Sequence, residues 1–160
     1  MKNAPRVVGK VDLNRYTGTW YEIAKIPNRF QKKCVEGTRA EYKRLEDGTL
    51  SVVNSCIDLK GQRITAKGVA NKVADNVTNA KLKVSFVRFL GRNLFWGDYW
   101  ILGLDRDYQY AVVGVPDRKY GWVLARRTEL SPEEWEDVKA VLKTQGYAFS
   151  AFQRTNHTLR

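Results

Sequence analysis

The stretch Leu82-Lys83-Val84-Ser85-Phe86 sets the pattern that decides the fold, because apolar and polar residues alternate along it. Successive side chains of a β-strand point to opposite faces, so the alternation predicts a strand with one apolar and one polar face. Further runs rich in Val, Ile, Tyr, Phe and Trp recur between turn signals such as Asp47-Gly48 and Pro116-Asp117. Together they predict eight strands, at about 19–27, 37–45, 50–58, 63–72, 80–89, 98–105, 109–115 and 120–126.

One segment near the C-terminus has a helical pattern instead. Ser131 is a capping residue, Pro132 follows at the first helical position, and Glu134 lies three residues after the cap, as in a capping box. Apolar residues then recur at helical spacing as far as Gly146, where we expect the helix to end. The sequence therefore predicts one α-helix, followed by a ninth strand at about 147–152.

The order of these elements favours an all-β fold. An eight-stranded antiparallel up-and-down β-barrel, with the C-terminal α-helix packed on the wall and a ninth strand, fits best because closure removes exposed sheet edges. A β-sandwich stays open as the alternative, since strand number alone does not separate the two. We expect a single domain over residues 1–160, with its core at about 10–154 and a flexible tail at 155–160.

The chain is strongly basic, with 28 Lys and Arg against 17 Asp and Glu, a net charge of +11 over 160 residues. The excess is spread over both halves, so attraction to an anionic membrane surface fits it at least as well as a dedicated nucleic-acid site, and we expect no nucleic-acid partner. No window is long and apolar enough for a spanning helix. Residues 1–5 do not have the pattern of a signal segment.

The sequence contains no pattern for catalysis, for a metal or for a cofactor. Its single histidine, His157, lies in the predicted tail and is interpreted as a solvated residue, whereas Ser-His-Asp and Cys-His catalysis need an imidazole beside the nucleophile. No zinc-ligand spacing and no phosphate-binding glycine loop occurs. Asp105 and Asp107 are interpreted as turn residues. We therefore expect a protein that is not an enzyme and has no cofactor and no metal.

Three segments, in the correct order, resemble the signatures of the lipocalin family. Gly18-Thr19-Trp20 is similar to the first signature, and Leu104-Asp105-Arg106-Asp107-Tyr108 resembles the second, between the sixth and seventh strands. Trp122-Val123-Leu124-Ala125-Arg126 resembles the third, with an arginine at the end of the eighth strand. The amino-acid sequence is most similar to that of the bacterial lipocalins, the branch that resembles apolipoprotein D. The resemblance covers about residues 10–154.

The resemblance implies a cup-shaped barrel that carries a hydrophobic ligand. In the bacterial branch this ligand is often a fatty acid or a lysophospholipid, and the place is the cell envelope, in the periplasm or at the outer membrane. The alternative is a lipocalin-fold enzyme or a protein that holds a haem-like cofactor. A homodimer is compatible with the sequence. The resemblance also implies structural roles for Gly18, Trp20, Asp105, Tyr108 and Arg126, with the arginine stacked on the indole that closes the narrow end.

Candidate ligand residues follow from strand parity, because alternate residues of each strand face the lumen of a barrel. The sixth strand can face the lumen in either of two registers, and we choose the one in which Tyr99, Ile101 and Gly103 point inward. Glu22 needs a partner if it is inward, and an Arg or Lys of a neighbouring strand is favoured over the amine-bearing end of a ligand. Phe95 and Trp96 are expected at the rim of the open end, in contact with lipid. The predicted ligand residues are Glu22, Ala24, Phe86, Phe95, Trp96, Tyr99, Ile101, Ala111, Trp122 and Leu124.

The two cysteines, Cys34 and Cys56, are out of register for a simple cross-strand pair. If Asp47-Gly48 forms the tip of the hairpin, Cys56 lies opposite Arg39. A bulge or a folded-back segment before the second strand would bring the two Cα atoms within the ~4.4 to 6.8 Å that a disulfide requires. Two cysteines without further partners fit an exported protein better than a metal site. We predict a disulfide, with two free thiols as the alternative.

Overall fold

The computed structural model describes residues 3–73, 78–87 and 93–158, and within these ranges it leaves the side chains of Phe30, Val87 and residues 93–96 undescribed. The barrel consists of β1 (Gly18–Lys25), β2 (Glu36–Arg44), β3 (Leu50–Ile57), β4 (Arg63–Lys72), β5 (Lys81–Val87), β6 (Asn93–Leu104), β7 (Tyr110–Gly114) and β8 (Gly121–Ala125). A short helix α1 (Leu13–Tyr16) precedes β1, and a longer helix α2 (Pro132–Thr144) and a short strand β9 (Gln153–Arg154) follow β8. Two 3-10 turns cover Arg29–Gln31 and Phe149–Ala151.

The sheet closes on itself. Each strand pairs antiparallel with the next, and β1 pairs with both β8 and β2, with Gly18 opposite Tyr42 and Tyr21 opposite Ala125. The predicted eight-stranded barrel is therefore confirmed and the sandwich alternative is wrong. The predicted strand ends agree with the structure to within two residues, except that β6 begins at Asn93 instead of residue 98.

Helix α2 packs on the outside of the wall, as predicted. Its first turn is closed by a capping box, in which Ser131 Oγ accepts the Glu134 amide at 3.1 Å and Glu134 Oε1 accepts the Ser131 amide at 2.9 Å. The helix buries Trp135, Val138 and Leu142 against the barrel. No helix among the described residues is long and apolar enough to cross a membrane.

The ninth strand lies further along the chain than predicted. Residues 149–151 form a 3-10 turn, and only Gln153 and Arg154 form β9, opposite Lys25 and Ala24 of β1. The apolar run before β9 packs the chain onto the barrel instead of forming a strand. Phe152 lies so close to Gly121 that a Cβ at that glycine would be 2.8 Å from the phenyl ring. The expectation of a strand at 147–152 is wrong for this reason.

Residues 155–158, the described part of the predicted tail, make hydrogen bonds to the barrel. The Thr155 amide donates to the Ile23 carbonyl at 2.9 Å, and the Gly37 amide donates to the Asn156 carbonyl at 2.7 Å. This segment therefore continues from β9 into the space between β1 and β2, beyond the last residues at which those two strands pair.

Two apolar clusters lie on either side of the barrel wall. The interior cluster contains Trp20 and Ile101 and fills the lumen, whereas the wall cluster contains Leu102 and Val138 and lies between the barrel and α2. The register of β1 against β8 shifts between Glu22 and Ala24, and the register of β6 against β7 shifts between Ile101 and Gly103. These irregularities decide which side chains reach the lumen.

Candidate ligand-binding site

A buried tryptophan seals the base of the barrel. Trp20 is completely buried, and its Nε1 donates to the Tyr16 carbonyl of α1 at 2.8 Å. The guanidinium carbon of Arg126 lies 3.8 Å from the centre of the indole, so the predicted stacking is present, a contact worth about 0.5 to 2 kcal/mol depending on burial. The same guanidinium donates to the carbonyls of Arg15 (2.8 Å), Thr19 (3.0 Å) and Tyr108 (3.1 Å).

The other signature residues shape the backbone around this base. Gly18 has a φ of +102°, and a Cβ there would lie 3.2 Å from a guanidinium nitrogen of Arg126, so both conformation and space favour glycine. Asp105 accepts a backbone amide of its own turn at 3.1 Å. Tyr108 Oη accepts the Asp12 amide at 2.9 Å, which holds the segment before α1. All of these contacts keep the base closed.

Three tyrosine hydroxyls meet directly above the plug. Tyr42 Oη donates to Tyr99 Oη at 3.0 Å, and Tyr16 Oη is hydrogen-bonded to Tyr99 Oη at 2.8 Å. Burial raises the pKa of Tyr42 to about 12 and raises the pKa values of Tyr16 and Tyr99 well above the ordinary tyrosine value. At neutral pH the cluster is therefore uncharged and remains a set of hydroxyl groups.

The tyrosines line one side of a narrow apolar pocket. Its walls stand too close together for a water molecule to enter, whereas ordinary small-molecule sites have volumes of about 300 to 1,000 Å³. A ligand reaches this depth only if side chains of the pocket change rotamer. The residues that line it are Tyr16, Tyr42, Leu50, Ala70, Leu82, Val84 and Tyr99.

A second polar group lies further along β1, toward the other end of the barrel. The side chain of Glu22 is 2% exposed, and its Oε1 accepts Gln31 Nε2 at 2.8 Å. The other carboxylate oxygen accepts the Thr155 hydroxyl, and Gln31 Oε1 accepts Trp122 Nε1 at 3.1 Å. His157 lies beside this group, with Nε2 2.6 Å from the Glu22 carbonyl oxygen.

Glu22 has partners within the protein, as favoured, but they are not Arg or Lys, and the expectation that His157 is solvated is wrong. Glu22 makes no ion pair with any residue that the structure describes, because neutral donors from the β1–β2 loop and from the C-terminal segment occupy its oxygens. His157 is not a solvated residue, since it is partly buried and its ring packs edge-on against Tyr21 at 5.8 Å. The hydrogen bonds of residues 155–158 hold the side chains of Thr155 and His157 against β1.

Most of the predicted ligand residues with described side chains belong to the interior cluster. Ala24 does not, because it is packed in the wall cluster under α2. Gly103 is also turned to that side, where a Cβ would lie 2.9 Å from Val141 of the helix. The register shifts beside these two residues reverse the alternation that parity assumes. The residues that contact the interior cluster are Phe86, Tyr99, Ile101, Ala111, Trp122 and Leu124.

The predicted rim residues Phe95 and Trp96 lie outside the described side chains. Their backbone belongs to β6, where Trp96 is opposite Ser85 of β5. Their contact with lipid stays a prediction.

The predicted disulfide is present between Cys34 and Cys56, with Cα atoms 5.5 Å apart. Arg39 pairs with Ser55, but the register then shifts, so that Glu36 pairs with Ile57. Gly37 lies within this shift at a φ of +67°. The bulge changes the register by one residue, and the Val35 amide, which donates to the Ile57 carbonyl at 2.9 Å, brings the segment of Cys34 alongside Cys56.

Sequence reasoning missed the residues that come from outside the regular strand pattern. Tyr16 belongs to α1, which is too short to give a helical period, and Gln31 and Thr155 belong to irregular segments. Tyr42 could have been found, since it lies two residues after Ala40 on the face of β2 that carries the interior cluster. Within the described ranges, no three His, Cys, Asp or Glu residues are grouped as they would be to hold a metal ion.

Comparison with known proteins gives consistent results. A profile of the lipocalin-like domain matches residues 11–157. Temperature-induced lipocalin-1 of Arabidopsis thaliana is 38% identical over 156 residues, which cover 96% of this chain and 83% of that protein. The outer membrane lipoprotein Blc of Escherichia coli strain K12 is 37% identical over 147 residues, or 91% of this chain and 79% of that protein. The structure of insecticyanin from Manduca sexta superimposes with a TM-score of 0.80 at 26% identity, covering 96% of this chain and 85% of insecticyanin.

Proposed function

Because this chain belongs to the lipocalin family, whose members bind small hydrophobic ligands, we propose that it binds a fatty acid or a lysophospholipid inside the barrel and carries or stores it at the bacterial cell envelope. The observation that supports the proposal best is the lumen itself. Apolar and aromatic side chains from β2 to β8 face inward above a base that Trp20 and Arg126 close. With the base closed and the interior packed, an acyl chain would enter from the opposite end, tail first, and side chains of the interior would move to admit it.

The acyl chain supplies most of the affinity in this proposal. Each methylene that leaves water contributes about 0.8 kcal/mol, so a long chain binds tightly without a charged anchor. The narrow pocket at the base would hold the end of the chain only after residues such as Leu82 and Tyr99 move. The rest of the chain extends past Phe86 and Trp122, and the head group lies at the open end.

The envelope location has two supports. The Cys34–Cys56 disulfide indicates an oxidising compartment, because such bonds are rare in reducing cytosol. The relative from Escherichia coli is an outer membrane lipoprotein by name. The Arabidopsis relative is equally similar to this chain, so the bacterial setting is tested separately, by locating the protein in fractionated cells.

A carrier fits the residues of the lumen better than an enzyme. The hydroxyls of Tyr16, Tyr42 and Tyr99 bond to one another, and their raised pKa values keep them protonated at neutral pH. The single imidazole, that of His157, is bonded to a backbone carbonyl oxygen on β1. These contacts leave neither group in the pairing that general acid–base or nucleophilic catalysis uses.

Native mass spectrometry of the purified protein tests the proposal directly. The expected result is a complex whose extra mass matches a fatty acid or lysophospholipid, released chemically unchanged by organic extraction. A coloured complex, or a ligand recovered in altered form, would favour the cofactor or enzyme alternative.

A substitution that fills the lumen tests the place of binding. Ala70 lines the pocket, so Ala70→Phe should reduce the affinity for a fluorescent fatty acid at least about tenfold by occupying the path of the chain. Ala140→Phe is the matched control, because Ala140 is exposed on α2. Equal affinities in the two variants, with both folded by thermal melting, would place the ligand elsewhere.

A further inference from the structure

The loops that connect strands at the two ends of the barrel differ in net charge. The plug at the start of β1 marks the base, and antiparallel strands place the β1–β2, β3–β4 and β7–β8 connections at the opposite end, the mouth. Residues 26–35, 58–62 and 115–120 form these mouth connections, and residues 45–49 and 105–109 connect strands at the base. The mouth segments carry six basic and two acidic residues, Arg29, Lys32, Lys33, Lys60, Arg118 and Lys119 against Asp58 and Asp117. The base segments carry Glu46, Asp47, Asp105 and Asp107 against Arg106.

The acidic residues of the mouth are used within their own turns. Asp58 Oδ1 accepts the amides of Lys60 and Gln62, each at 2.9 Å, and Asp117 Oδ1 accepts the Lys119 amide at 3.0 Å. The side chains of Lys32, Lys33, Lys60 and Lys119 are exposed. The three ion pairs found among the described residues all lie elsewhere, on β5–β6 and around α2. The positive charges of Lys32, Lys33, Lys60 and Lys119 therefore face solvent.

Exposed apolar residues lie among these lysines. Leu59 is 89% exposed between Asp58 and Lys60, and Val35 is 48% exposed next to Cys34. The two segments are joined, because Cys34 is bonded to Cys56 and the Val35 amide donates to the Ile57 carbonyl at 2.9 Å. The disulfide thus fixes one surface, here called the rim patch, which consists of Lys32, Lys33, Val35, Leu59 and Lys60.

We propose that the rim patch docks the mouth of the barrel onto an anionic lipid membrane. This inference rests on the proposed lipid carriage and extends it, because docking by the mouth lets the ligand pass between bilayer and lumen without crossing water. Lysines beside anionic head groups supply long-range attraction, and an exposed leucine at the tip of a loop can enter the interface. The phosphates of a nucleic acid would be attracted to the lysines, but they would make no favourable contact with the exposed apolar side chains of Leu59 and Val35.

Vesicle sedimentation with charge-matched variants tests this surface. The probes are vesicles of phosphatidylcholine alone and of equal parts phosphatidylcholine and phosphatidylglycerol. Lys32→Glu with Lys33→Glu should weaken binding to the anionic vesicles by roughly tenfold or more. The control, Lys43→Glu with Arg44→Glu, makes the same change in net charge on exposed residues at the base end of β2 and should bind almost as the unchanged protein does.

A second pair of variants tests the apolar part of the patch. Leu59→Ser should weaken binding a few fold, whereas Leu45→Ser, at the partly exposed Leu45 of the base, should not change it. Equal losses in the rim and base variants would overturn the inference, since attraction would then follow total charge. Equal binding of the unchanged protein to both vesicle types would also overturn it.

Ligand binding is measured separately so that the two proposals can fail independently. The rim variants should keep the affinity for a fluorescent fatty acid of the unchanged protein, because Lys32, Lys33 and Leu59 do not line the lumen. Fatty-acid binding without vesicle selectivity would reject docking and keep carriage. Selective docking by a protein that binds no lipid in its lumen would reject carriage and leave a membrane-binding surface.

Discussion

Buried polar groups have different kinds of hydrogen-bond partners in the base and in the mouth half of this barrel. At the base, Trp20 and Arg126 come from the ends of β1 and β8, and the guanidinium donates to three carbonyls around it. In the mouth half, the buried carboxylate of Glu22 is held by neutral side chains from two irregular segments, Gln31 and Thr155. The base is therefore closed by residues of the strands and their ends, whereas the polar group above it depends on side chains from segments outside the regular strands.

The largest expected effect breaks the base. Trp20→Ala should lower the free energy of unfolding by about 3 to 5 kcal/mol, because it removes a completely buried indole and the stacking surface of Arg126. Urea unfolding followed by circular dichroism measures the change. Trp100→Ala is the control, since that indole is only partly buried on the outer face of β6. An equal cost in both variants would mean that the base has no special role.

The next effect concerns the link that holds the mouth together. Replacing Cys34 and Cys56 by serine should cost about 3 kcal/mol, the value expected when a loop with a sequence separation of 22 loses its cross-link. The cost should also appear when dithiothreitol is added to the unchanged protein, and the double variant should not respond to the reductant. If the double variant is less stable by the full amount but dithiothreitol does not destabilise the unchanged protein, the serine side chains, and not the missing cross-link, cause the loss of stability.

The difference between the two ends also explains how much the sequence predicts. The base is encoded in short signatures, so Gly18, Trp20 and Arg126 could be assigned before any coordinates were known. Strand alternation predicts the barrel and the inward position of residues such as Ile101 and Leu124. Alternation is a local property, and it holds only while the backbone remains regular.

The mouth half was less predictable because its contacts join distant segments. A register shift turns Ala24 toward α2, and nothing in the local pattern announces it. Thr155 reaches Glu22 across a sequence separation of 133, from a segment whose composition is typical of a tail. The aromatic run at 147–152 favours a strand by propensity. Its side chains instead pack on Gly121, and residues 149–151 form a 3-10 turn.

A smaller effect sharpens the contrast at Glu22. Glu22→Ala should cost about 2 kcal/mol, because Gln31 and Thr155 lose a buried acceptor. Glu41→Ala on the exposed face of β2 is the matched control and should stay within about 0.5 kcal/mol. Limited proteolysis should also cut the C-terminal segment of Glu22→Ala faster. If the Glu22 and Glu41 variants are cut at the same rate, the carboxylate does not hold this segment.

The last effect appears only at alkaline pH and reports on the tyrosines above the base. Burial raises the pKa of Tyr42 from 10.0 to about 12. Between these values the unfolded chain loses the phenolic proton while the folded chain keeps it, so the free energy of unfolding falls as the pH rises, by about 1.4 kcal/mol per pH unit for this group. Below pH 10 both states are protonated and the stabilising contribution is fully present.

Tyr42→Phe should therefore flatten the fall in stability between pH 10 and pH 12, measured by urea unfolding at several pH values. Tyr21→Phe, on the same barrel but outside the interior cluster, is the control and should leave the slope unchanged. Tyr16 and Tyr99 keep part of the slope in the variant, since burial raises their pKa values as well. A slope identical to that of the unchanged protein would show that solvent reaches the Tyr42 hydroxyl, and the base would then be open to water instead of closed.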